Sequence, residues 1–162
     1  MKRFIASLAA IGAVFLMALP VQASGAGAVS VTQTFHNATQ TFVPPDPAAV
    51  QPCTGVLGTL IITYNGVAHF TVLTSGVGAG TGWATFTATG TFTFAGSDGV
   101  NFSGRFTTWD GQNFNLKNFA ATAILVVHGT GSDGSSLTFH DVAHMSVSAS
   151  GMTLSFDKPT CG

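Results

Sequence analysis

The sequence predicts an all-β fold, a single antiparallel up-and-down β-barrel of about eight strands, with a β-sandwich as the alternative. Three observations predict it. Trp83 to Phe94 alternates with period two, Ala84, Phe86, Ala88, Gly90, Phe92 and Phe94 on one face and five threonines on the other, as a half-buried strand does. Val100 to Thr108 repeats the pattern, and Gly-rich turns separate such runs. Finally, the 162 residues include 20 glycines, many threonines and no Glu, a composition suited to strands and turns rather than helices.

The elements follow in chain order. Lys2 and Arg3 precede an uncharged apolar run, Phe4 to Leu19, which Pro20 ends; Val21-Gln22-Ala23 then offers small residues at the positions a signal peptidase reads. Residues 1–23 are therefore expected to be a cleaved signal peptide and residues 24–162 a single secreted domain. Val29–Phe35 and Thr39–Val43 read as a short strand pair turning at His36. Pro44, Pro45, Pro47 and Pro52 make a stiff loop. Asn65-Gly66 between two β-rich runs predicts a two-residue hairpin joining Leu57–Tyr64 to Val67–Thr74. Gly76 to Gly82 is a turn. After the two alternating strands, Asp110-Gly111 is expected to turn the chain, followed by Thr122–His128, a turn at Gly129 to Gly134, and strands Leu137–Ala149 and Met152–Phe156. Gly90, on an apolar face, marks an expected bend, as closing a barrel requires. Long strands of this kind curl and close readily.

Charge excludes several functions. After the signal only Arg105, Lys117 and Lys158 are basic, against six Asp, a net −3 with histidine neutral. Nucleic-acid binding is not expected, since a basic patch cannot form. No later stretch is apolar enough for a transmembrane helix. The length also suits a small outer-membrane barrel, but the repeating outward residue is Thr, and there is one Tyr and two Trp where aromatic girdles would stand. No Gly-x-Ser-x-Gly elbow is present, and no helix follows the glycines of Gly76 to Gly82, so neither acyl transfer nor phosphate binding is indicated. No cofactor motif is found.

His140-Asp141-Val142-Ala143-His144 is one residue type from the His-Glu-x-x-His zinc motif. That motif works on a helix, whereas these flanks alternate as a strand, where residues four apart lie about 13 Å apart. No metal site is expected from it. Strand alternation instead places Asp141 inward, on the face of Leu137, Phe139, Ala143 and Met145. A carboxylate there needs a partner or a function. His128, continuing a β-rich run, and His69, beside Ile62 in the expected hairpin, are the other candidate interior polar groups. Trp83, Trp109 and Tyr64 are candidate exposed stacking residues, against ordinary strand-end aromatics. Cys53 and Cys161 form an even pair in an exported chain and are expected to be a disulfide. Asn37-Ala38-Thr39 and Asn101-Phe102-Ser103 fit glycosylation sequons.

Several segments carry a resemblance: Pro52-Cys53-Thr54-Gly55, Ile61 to Phe70, Gly104-Arg105-Phe106-Thr107, Gly131 to Ser135, His140 with His144, and Phe156-Asp157-Lys158-Pro159-Thr160-Cys161. Together these resemble a family of small secreted actinobacterial proteins of unknown function, over nearly the whole mature chain. More loosely, the architecture resembles allene-oxide-cyclase-like and lipocalin-like barrels, a likeness that carries no function by itself. Three functional expectations remain. The first is a non-enzymatic barrel holding a small, mostly apolar ligand in its interior, an expectation that a cavity under about 300 Å³ would sink, since drug-sized ligands need at least about that. The second is a cyclase- or isomerase-like enzyme using Asp141 with an interior histidine. The third is a structural or surface-interaction protein associating through its Thr-rich faces, without a pocket.

Overall fold

The computed structural model describes residues 27–162, with Met152 and Thr153 described in backbone only. The expected signal peptide, 1–23, lies outside the described residues. Eight antiparallel strands form one sheet: β1 (Ala28–Phe42), β2 (Gly58–Leu73), β3 (Gly82–Gly96), β4 (Asn101–Phe114), β5 (Phe119–Gly131), β6 (Ser136–Ser148), β7 (Gly151–Asp157) and β8 (Thr160–Cys161). β1 to β7 are neighbours in chain order, and β8 continues the edge of β6 beyond β7. A 3-10 turn, Pro47–Ala49, is the one helical element among the described residues; no helix there is long and apolar enough to cross a membrane.

These pairings give an all-β up-and-down sheet but do not close it into a barrel, because β1 pairs only with β2 and β7 only with β6. The sheet nevertheless curls. One cavity is lined by side chains of six consecutive strands, β1 to β6, which in a flat sheet would span about 24 Å. Inner-face glycines permit the curl. At Gly90 a Cβ would collide with the Thr63 carbonyl oxygen and meet Tyr64 Cα at 2.8 Å, so the glycine there is required by the close backbone of β2. The loop between β1 and β2 reaches the far side of the curl, where Cys53 and Cys161 form the expected disulfide with Cα atoms 5.8 Å apart.

Three expected turns are not turns. Asn65-Gly66 lies inside β2, which pairs without interruption with β3 (Tyr64↔Gly90, Asn65↔Thr89, Gly66↔Ala88). Gly66 is needed for space, not for a turn: a Cβ would stand 2.9 Å from the Thr87 oxygen and 3.1 Å from Ala88 Cβ. The supposed turn at His36 is a bulge in β1, where the register shifts between Phe35 and Ala38 and Asn37 adopts φ 49°. Asp110-Gly111 lies inside β4, with the Trp109 indole over Gly111, 2.6 Å from where a Cβ would sit. The chain turns instead at residues 115–118, where Asn115 Oδ1 accepts the backbone N–H groups of Lys117 and Asn118.

The alternation read from the sequence holds in β3, β4 and β6. Tyr64, Ala88, Phe92, Phe94, Phe106, Leu137 and Phe139 form the buried core, with Phe35, Leu60, Ile62, Leu125 and Val127 packed against it. Tyr64 belongs to this core rather than to an exposed stacking surface. It is 5% exposed, sits edge-on to Phe86 and accepts a hydrogen bond from Gln40. Trp83 and Trp109 are exposed.

Candidate ligand site

Register assigns each inward side chain. Across the sheet, Thr108, Leu125 and Asp141 stand in one row of the concave face, and Asp110, Ala123, Ala143 and Asp157 in the next. Directly opposed residues of an antiparallel pair share a face. The first row borders a cavity of about 190 Å³. Apolar groups from Phe42 on β1 to Phe139 on β6 line it, and the β1–β2 loop adds Pro47, Ala48, Val50 and Pro52 to the lining. Only Gln51, Thr108 and Asp141 bring polar side chains to the lining.

Two of those three have local duties. Gln51 Oε1 accepts the backbone N–H groups of Cys53 and Thr54, both at 2.6 Å, and so fixes the loop that carries the disulfide. The Thr108 hydroxyl donates to the Ile124 carbonyl at 3.1 Å and, more weakly, towards Asp110 Oδ2 at 3.4 Å. Asp141 differs. It is 5% exposed and its Oδ1 is buried without a hydrogen-bond partner.

Asp141 meets a second carboxyl that the sequence reading missed. Asp157 stands beside it in the next row and acts on it electrostatically, and Asp157 Oδ1 is likewise buried and without a partner. Burial, then the adjoining Asp157 carboxyl, push the Asp141 carboxyl up to about 6, against a smaller opposing effect of the Val142 and Lys158 backbone. Burial likewise raises Asp110 to about 6, partly offset by the Thr108 hydroxyl. Three of the six acids thus face inward. All three basic residues of the described chain are exposed, with Lys158 lying over the Phe156 ring at 5.2 Å.

The histidines do not join this site. His69 faces outward, its Nδ1 2.8 Å from Thr32 Oγ1 and its Nε2 3.1 Å from Thr71 Oγ1, because the uninterrupted β2 pairs it with Thr32 and Thr85 instead of Ile62. His128 is exposed, opposite Arg105 and Thr138, because β5 turns Leu125 and Val127 inward and thus Ile124, Val126 and His128 outward. Both are corrections to their expected interior placement; only Asp141 is where the sequence put it. His140 is exposed, and His144 bonds Thr122 at 2.8 Å and stacks on Phe156. Among the described residues no group of three or more His, Cys, Asp or Glu gathers as a metal site.

Asp157 escaped notice because its orientation depends on an irregularity. The β6–β7 register shifts by one residue between Ser146 and Val147. Without the shift, Ala143 would oppose Phe156. With it, Asp157 turns inward and Phe156 outward, since a one-residue slip exchanges the faces of a strand. No family model, curated protein or solved structure matches the chain.

Proposed function

We propose that this chain is a secreted binding protein that holds one compact, mostly apolar molecule on the concave face of its sheet. In this reading the curled sheet works as a barrel, its open edge spanned by the Cys53–Cys161 bridge. The observation that carries the reading is the cavity itself, lined by β1 to β6 and by the β1–β2 loop. At about 190 Å³ it falls short of the roughly 300 Å³ a drug-sized ligand needs, so that expectation is withdrawn. It suits a molecule of one small ring, since an apolar cavity of about 150 Å³ takes up benzene. The enzyme reading is weaker, because it required an interior histidine or arginine beside Asp141, and none lines the cavity. The experiment is titration of the mature protein with toluene, read by NMR shifts of the Leu125, Val127 and Leu137 methyl groups and by the melting temperature. Saturable shifts at these methyls, blocked by Val127→Trp, are expected. Toluene without effect on them at its solubility limit would overturn the proposal.

A further inference from the structure

We infer that the ligand of this cavity is a small apolar amine, its ammonium group held by the Asp141–Asp157 carboxyl pair. The inference rests on the binding reading above and specifies the ligand's chemistry. Asp141 lines the cavity, is 5% exposed, and presents a buried oxygen with no partner. Its neighbour Asp157, in the next row and outside the lining itself, carries a second buried oxygen without a partner. No Lys, Arg or His lines the cavity. Buried carboxylates without a counter-charge are costly, and they are relieved by a proton or by a cation that also hydrogen-bonds.

The groups facing Asp141 are Asp157 on β7, Thr108 and Leu125 in its own row, and Asp110 in the row beside it. None supplies positive charge. A divalent metal fits poorly, because Ca²⁺ and Mg²⁺ take about six to eight oxygen ligands and the remaining lining is almost wholly apolar. A neutral alcohol would satisfy one oxygen and leave the charge. An alkyl- or arylammonium ion satisfies both requirements at once, its hydrocarbon part against Phe92, Phe106, Leu125 and Phe139 and its N–H donors towards the carboxyls. Above about pH 6 the Asp141 carboxyl is ionised, and the ammonium takes the place that a proton holds at lower pH.

The test uses the mature, disulfide-bonded protein and three probes of one size: toluene, benzyl alcohol and benzylamine, titrated by calorimetry at about pH 8 and about pH 5. Benzylamine is expected to bind about tenfold or more tighter than benzyl alcohol at the higher pH, as a charge-assisted contact allows. That preference should shrink at the lower pH, where Asp141 holds its proton, and disappear in Asp141→Asn. Asp157→Asn, at the less buried partner, provides a second variant with the same expected loss. Equal affinity for all three probes overturns the amine inference and leaves the cavity reading standing. A preference that survives at low pH and in both variants overturns the role of the pair. Binding of none of the probes overturns the cavity reading as well.

Discussion

Asn65 Oδ1 accepts the backbone N–H of Asn37 at 3.0 Å, so a side chain of β2 holds the bulge of β1. Asn37 is the one non-glycine residue of positive φ among the described residues, a conformation that Asn tolerates better than most. Asn65→Ala should cost about 1 kcal/mol, the net worth of one hydrogen bond. Asn37→Gly should be close to neutral, and Asn37→Val should cost more than either. Urea unfolding of the three variants checks the order; a neutral Asn37→Val would show that the bulge can relax.

The same pair shows what was legible in the sequence. Period two gave the inward faces of β3, β4 and β6, and with them Asp141. Asn65-Gly66 misled because a dipeptide suited to a tight turn also suits a crowded strand position with a polar anchor. Local context separates the cases. The true turns at 96–99 and 131–134 are both Gly-Ser-Asp-Gly, with matching bonds from Gly99 to Gly96 and from Gly134 to Gly131. Asp110-Gly111 lacks that frame and carries Trp109 beside it. Asp157 was not legible, because nothing local announces the register shift that turns it inward.

Stability should fall, not rise, as the pH increases from about 4 to about 6. The carboxyls of Asp141 and Asp110 ionise near 3.8 in the unfolded chain and at about 6 in the folded one. Within that window the folded state keeps protons that the unfolded state has lost, and unfolding is favoured as the pH climbs. For Asp141 the loss is at most about 3 kcal/mol. Asp141→Asn should remove its share of the slope and leave that of Asp110. Melting temperatures measured across the window decide, and a rise towards neutrality would contradict the burial argument.

Reduction of the Cys53–Cys161 bridge, which spans a sequence separation of 108, should lower the melting temperature by about 10 °C or more. Chain entropy assigns such a loop about 4–5 kcal/mol as an upper figure. Calorimetry with and without a reductant measures it. An unchanged melt would mean that the bridge has no structural role.

Gly90→Ala should destabilise by about 2–3 kcal/mol, the cost of overpacking, because its Cβ meets the β2 backbone rather than a side chain that could move. Thr93→Val, at an exposed position of the same strand, should stay within about 0.5 kcal/mol. Denaturant midpoints compare the two directly.

The bridge also divides the molecule unequally. Everything from Cys53 to Cys161, hence β2 to β8, lies within one covalent ring, while β1 enters from outside it. Of the two edge strands, β1 is the one that lies outside this ring and can peel away without dragging on it. It brings Phe35 to the core and Phe42 to the cavity wall, so its departure would open both together. An edge strand tethered by the Pro44–Pro52 segment is also the natural unit for exchange between two copies of the chain. At high concentration, reciprocal swapping of β1 would give a dimer in which each cavity is walled by its partner's strand.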